Sequence, residues 1–379
     1  IGITSLILGV AFLILYTFQY LGPAAKLLIG AAVAVALIGA GRWMERSDAL
    51  RWYGRGLIGG GWALLYFTAY AAHHVPAVRV IDSALVDSAL LLAVAAGAVS
   101  HSLTYRSQTI TAMALLLGFI TISISPVTYF TFGASALLIA TLAWIVAKMR
   151  WDGVFLYGVI ASYAAHLFWI NEQIQRSLIV AVRVATAAEA QFWLTASFSA
   201  LYWVAYNVVL WILTGQRELQ RNRLLTATLI NAGAFVYLVL SGMDVVYRDW
   251  RAGFLLTTGV AYWLSSHLMS RRDSALSTAH LLLGLALMSL AIPLKLTDRW
   301  VSFLWMAETV LLAWIGLRYN RWPYRLFTMG LAVALAGRLF SFDFWTSQPI
   351  VVLGHAVPWR ALIGWLTSAA FGLIACWYR

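Results

Sequence analysis

The stretch YGRGLIGGGWALLYFTAYAAHH, Tyr53 to His74, sets Gly54, Gly56 and Gly59 in the spacing G-x-G-x-x-G, the way a dinucleotide-binding turn is written. That fingerprint needs a buried strand before it, a helix after it, and an acid about 20 positions on. Here the charged turn ERSDALRW precedes the glycines, and His73 and His74 stand where the acid belongs, with none until Asp82. No Lys-Ser or Lys-Thr comes after them, so a phosphate loop is excluded as well. Beyond the glycines the chain is apolar for the length of a membrane span.

Read as membrane, the same residues acquire another meaning. Gly56 and Gly60 are four apart, as are Gly59 and Ala63. This small-x-x-x-small spacing lets helix backbones approach closely in lipid and predicts a packed span. Gly59, Ala63, Tyr66, Tyr70 and His73 continue along one helix side. The stripe reads either as interhelical hydrogen bonding or as the lining of a polar cavity.

The whole chain has this character. It is 62% hydrophobic and only 11% charged, with a mean hydropathy of +0.82, and soluble domains run nearer 25% charged. Fourteen apolar spans begin at Gly2, Pro23, Gly56, Ala84, Gln108, Thr131, Gly153, Gln191, Leu224, Arg251, Ala275, Trp300, Arg325 and Ala361. The fold class expected is all-α: a polytopic transmembrane bundle forming one domain over residues 1–379. The first run begins at Ile1 without a basic leader, so a native start upstream is expected.

Sidedness follows from the basic residues. One side carries the turns around Arg42–Arg55, Arg106, Lys148–Arg150, Arg217–Arg223, Arg271–Arg272 and Arg318–Arg325, together with Arg379. It holds sixteen of the 26 bases and five of the 14 acids, a net charge of +11 against +1. Cytoplasmic loops retain Lys and Arg, so both termini are expected to be cytoplasmic and the location a bacterial inner membrane. The excess charge sits at helix ends, often beside Trp as in Arg42-Trp43 and Arg150-Trp151. Membrane lipids are therefore the expected partners and nucleic acid is not. Protein partners in an envelope complex stay open.

On the opposite, outer side the segments 171–190 and 343–360 are the long loops. The first has an apolar stretch too short to span and is expected along the interface or as a short hairpin. The second is broken by Pro349, Gly354 and Pro358.

Glu308 lies about eight residues inside its span, ~12 Å from the outer boundary. An acid there needs a partner or a wet cavity. Arg338, near the outer end of the next span, is the partner expected, as an ion pair. The pair reads as structural or as a substrate, ion or proton site. Cys376 is the only cysteine, and His73, His74, His166 and His355 share no more than a side, so neither a metal site nor a cofactor is expected. No G-x-S-x-G, H-E-x-x-H or C-x-x-C occurs.

Residues Ile1–Arg46 and Gly54–His74, and later AIPLKLTDRWVSFLWMAETVLLAWIGLRYNR with Asp298, Trp300, Trp305, Glu308 and Trp314, resemble a bacterial family of predicted membrane proteins. Its label in words is domain of unknown function two-three-three-nine. The ends and their order carry the resemblance, and the middle matches only as hydrophobic spans. It implies an integral membrane protein of many helices, often with a charged coiled-coil segment before the first, and it implies no reaction, ligand or functional residue.

Three functions compete on this reading. One is non-enzymatic transport or binding of a small molecule, ion or lipid-linked precursor, using Glu308, Arg338, Tyr66, Tyr70 and His73 as its polar interior. Another is a scaffolding subunit of an envelope complex. The third is a membrane enzyme acting on a lipid-linked sugar, which needs two convergent acids among Asp82, Asp87, Glu172, Glu189, Asp244, Asp249, Asp298 and Asp343.

Overall fold

A computed structural model describes residues 21–106, 108–125, 128–179, 184–214, 220–297, 299–341, 350–352 and 355–357. Twelve α-helices occur among them: α1 Pro23–Met44, α2 Arg51–His74, α3 Ala84–Ser102, α4 Gln108–Ile124, α5 Thr128–Met149, α6 Asp152–Ile179, α7 Val184–Leu213, α8 Arg221–Val246, α9 Arg251–Met269, α10 Ser274–Lys295, α11 Arg299–Arg318 and α12 Trp322–Ser341. They correspond one to one with the second to thirteenth expected spans. The first and last expected spans, with Cys376, lie outside the described residues. Of the twelve described helices, eight are long and apolar enough to cross a membrane: α1, α3, α5, α6, α7, α8, α10 and α11. At 17 residues α4 is shorter, and glycine, hydroxyl, Trp and Arg content makes α2, α9 and α12 more polar.

The expectation of a long loop at 171–190 is corrected, since α6 runs on to Ile179 and α7 already starts at Val184. Its sequence has no Gly or Pro to stop a helix. In the other outer segment, β1 Ile350–Val352 pairs antiparallel with β2 His355–Val357. The chain is therefore helical apart from one short hairpin among the described residues.

The contacts divide the chain into two compact units. The first contains residues 1–182 and 200–209, and the second 183–199 and 210–379. In both, the surface is apolar and the interior holds small hydroxyls. Val333 and Phe67 are exposed, whereas Thr121, Ser162 and His280 are fully buried. Lipid solvates apolar side chains as well as a core would, so close packing and hydrogen bonding decide what goes inside. The buried hydroxyls first donate to their own helix: Thr121 to Leu117 O at 2.9 Å and Ser162 to Gly158 O at 2.8 Å in the first unit, Thr228 to Leu224 O at 2.8 Å in the second. Their lone pairs remain for a neighbouring helix.

Turns on the basic side are tight. Arg106, Arg150 and Asn320 sit at φ 49°, 57° and 49° in the left-handed region where helices stop. Asp273 caps α10, accepting from Ala275 N at 2.9 Å and Leu276 N at 3.1 Å.

Each unit contains one hairpin in which glycine backbones touch, and in the first it is not the face that the spacing predicted. Gly56, Gly59, Gly60 and Ala63 are exposed, and a Cβ added at any of the three glycines would meet nothing within 4 Å. The buried face of α2 is Gly54, Ile58 and Gly61. A Cβ on Gly54 would lie 2.6 Å from Gly41 O, and one on Gly61 2.8 Å from Ala34 O, both on α1. In the second unit Gly259 of α9 and Gly284 of α10 face each other, a Cβ on the latter falling 2.7 Å from Gly259 O.

Candidate functional site

The C-terminal half of α2 builds a polar cluster in the first unit. Because the Thr121 proton is already on Leu117 O, the Tyr66 hydroxyl donates to Thr121 Oγ1, at 2.9 Å. Tyr66 is buried, and this bond joins α2 to α4. One helical turn on, Tyr70 stacks on His74 with ring centroids 4.3 Å apart. His73 reaches the chain after its own helix, with Nδ1 2.8 Å from Ile81 O. Of the stripe, then, Tyr66 closes a helix contact, while Tyr70 and His73 gather at its end.

The sequence reading names Asp87 among the candidate acids but not as the centre of that cluster. Asp87 sits on the first turn of α3, almost fully buried, with Oδ2 3.0 Å from His74 Nε2 and Oδ1 without a partner among the described residues. Beside it Ser88 Oγ is 3.0 Å from Ser125 Oγ. The signal was Asp87 itself, an acid four residues into an apolar run. A sharp test is available at Tyr66: removing its hydroxyl in Tyr66→Phe should cost ~0.6–1.7 kcal/mol, the range for interhelical hydrogen bonds in membranes. Unfolding in mixed micelles should show that Thr121→Val adds little further loss in the Tyr66→Phe background. Additive losses would mean the two residues do not share this bond.

A second network, also unforeseen, lies at the basic end of the same unit. Trp62 Nε1 donates to His101 Nδ1 at 2.9 Å, which fixes the proton on Nε2. That nitrogen is 3.2 Å from Tyr105 Oη, which donates to Glu45 Oε2, also at 3.2 Å. Arg55 completes the chain, its Nε 3.3 Å from Glu45 Oε1 and its guanidinium over the Trp52 and Tyr105 rings. Each acceptor has one donor, so the arrangement ties the ends of α1, α2 and α3 together.

In the second unit Glu308 is the tenth of the twenty residues of α11, close to the middle of the helix. Its Oε1 accepts from Ser289 Oγ of α10 at 2.6 Å, and Trp305 Nε1 donates to Ser289 O at 3.0 Å. Glu308 Oε2 is buried without a partner among the described residues. The expected ion pair with Arg338 does not occur among the described residues; Arg338 Nε donates to Ser302 Oγ at 3.1 Å. Levels along the hairpin explain this. The α11–α12 turn centres near Asn320, so position 338 lies opposite 302, whereas 308 lies opposite about 332, ~9 Å away. The same count about the preceding turn puts Ser289 within one turn of Glu308.

Among the described residues, four of the acids expected on the outer side have separate partners. Asp82 pairs with Arg79 at 3.4 Å, Asp87 with His74, Asp244 with Arg251, and Glu189 accepts from Tyr247. The side chains of Glu172, Asp298, Asp343 and His355 lie outside the described residues. Among the described residues no three His, Cys, Asp or Glu side chains come together as a metal ion would require.

One cavity of the second unit, about 700 Å³, opens among the basic-side ends of α9, α10, α11 and α12. Another, about 440 Å³, lies at the other end of α9 and α10 beside Asp249 and Lys295. Glu308 lines neither.

Compared with known families, the chain matches over residues 1–379 a model described as "Predicted membrane protein (DUF2339)". Neither a curated protein nor a solved structure matches it.

Proposed function

Since the chain belongs to the DUF2339 family of predicted membrane proteins, we propose that it is a non-enzymatic protein of the bacterial inner membrane that binds, and moves, a small cation or proton at Glu308. In this reading it crosses the bilayer fourteen times with both termini in the cytoplasm. That it is a multi-pass membrane protein follows from the family and from eight apolar helices of spanning length. The functional step rests on one observation, the acid at the middle of α11 with one oxygen held by Ser289 and the other unsatisfied. Ionisable groups at that depth are costly in lipid and are kept where a charge must be received, and coupling-ion sites of carriers cluster near the midplane.

A hydrophobic carbodiimide, which enters lipid and modifies protonated carboxyls, tests this. Mass spectrometry should find the adduct on Glu308, and the ion that binds there should slow it. Labelling of surface acids alone would overturn the assignment.

The scaffold reading is favoured by a different observation. Trp263, Trp305 and Phe327 pack on the Leu281, Leu285, Leu312 and Leu331 cluster, and this places packed side chains on the α10–α11 stretch between the large cavity and Glu308. The enzyme reading is the weakest, because Asp82, Asp87, Asp244 and Glu189 each engage a separate partner.

A further inference from the structure

The geometry points to a second binding site, independent of Glu308, for a phosphate group in the large cavity on the basic side of the second unit. Its volume of about 700 Å³ lies within the few-hundred to thousand Å³ range of small-ligand sites. None of its fourteen lining residues is an acid. The nearest acid in sequence, Asp273, is turned to other work, capping α10 and lying 3.7 Å from Arg221.

What the lining offers is decided by where its protons already go. Ser266, Ser270 and Ser277 each donate to a backbone carbonyl, at 2.6, 2.8 and 2.8 Å. Ser274 and Thr278, one turn apart on α10, make no such bond among the described residues and keep their protons for a ligand. Asn320 Oδ1 accepts from Arg325 Nη2 at 2.9 Å, which leaves the Asn320 amide N–H₂ to donate. The Tyr324 hydroxyl accepts from Trp263 Nε1 at 3.5 Å, so its own proton is available too. Arg321 supplies the charge, and its guanidinium is exposed at the rim.

Donors without acids select an anion, and several donors around one fork of charge select a phosphate oxygen cluster. The floor is apolar, formed by Leu281 and Ile315. Such a cavity suits the phosphate of an anionic lipid headgroup arriving at the membrane surface, or a phosphate free in solution.

The full chain in detergent, titrated with phosphatidylglycerol or phosphatidylcholine and read by native mass spectrometry, distinguishes these sources. A parallel melt with inorganic phosphate against chloride covers the soluble one. Phosphatidylglycerol should bind about tenfold more tightly than phosphatidylcholine, and Arg321→Gln should remove about that factor, the worth of one charge-assisted hydrogen bond. Arg321→Lys should recover part of it, Thr278→Val should weaken binding several-fold, and Arg318→Gln, outside the cavity, should change nothing. Stabilisation by inorganic phosphate that Arg321→Gln abolishes would support the same site with a soluble source. The site is overturned if Arg321→Gln and Thr278→Val leave both responses intact, or if Arg318→Gln lowers them equally, which would reduce the effect to surface charge.

Discussion

Gly54→Leu is expected to abolish recovery of folded protein, while Gly60→Leu, six residues along the same helix, is expected to be tolerated. A Cβ at Gly54 would stand 2.6 Å from Gly41 O and 3.0 Å from Glu45 N, the backbone of α1 and of the residue that caps it. Backbone cannot rotate away as a side chain can, so the α1–α2 hairpin must open. Even a methyl there counts as overpacking, ~1–3 kcal/mol, and a leucine exceeds it. Parting two helices also forfeits the dispersion contacts that hold them in lipid. At Gly60 nothing lies within 4 Å of a Cβ, and leaving glycine in a helix interior is favourable by up to ~1 kcal/mol. The same contrast should hold in the second unit between Gly284→Leu and Gly330→Leu, because a Cβ at Gly330 also meets nothing. Monodisperse protein remaining after heating in detergent is the readout. Survival of Gly54→Leu together with collapse of Gly60→Leu would restore the packing face that the four-residue spacing suggested.

Why that spacing misled is instructive. A run with Gly54, Gly56, Gly59, Gly60 and Gly61 has small residues on both sides of α2, and spacing alone does not choose between sides. The choice belongs to α1, where Ala34, Ile38 and Gly41 repeat the small-large-small order of Gly54, Ile58 and Gly61. In both sets the small residues are seven positions apart, about two turns, so they pass an intervening isoleucine on each helix. That match was in the sequence, and it needed the two spans to be read together rather than one by one.

Twelve helices were legible span by span because lipid leaves the backbone few alternatives. Their ends were less so: Val184 precedes the expected start of its span by seven residues. In the candidate site, Glu308 stood out as an acid in an apolar run, and its setting did not. Opposite charge suggested Arg338, whereas depth along the hairpins puts Ser289 beside Glu308 and Ser302 beside Arg338. His101 and Tyr105 escaped notice for the opposite reason. They lie at the end of a helix where polar residues are ordinary, and only the fold brings Trp62 and Glu45 to them.

Glu308→Gln is the second large effect expected, and it falls on function. Glutamine keeps the shape and an Oε1 that still accepts from Ser289, so the fold should survive with its melting temperature little changed. What it loses is the negative charge. Ser289→Ala removes a hydrogen bond to a charged group, ~1.5–3 kcal/mol, and should weaken ion binding by roughly ten- to a hundredfold. Arg338→Gln should leave ion binding near its original strength, since Arg338 donates to Ser302.

Proteoliposomes of the full chain on a solid-supported membrane, exposed to steps of sodium, potassium or pH, measure the charge displaced when an ion enters. The account predicts a displacement for at least one of these ions, abolished in Glu308→Gln, shifted to higher concentration in Ser289→Ala and preserved in Arg338→Gln. An undiminished displacement in Glu308→Gln, or none in the folded wild-type chain, would contradict it.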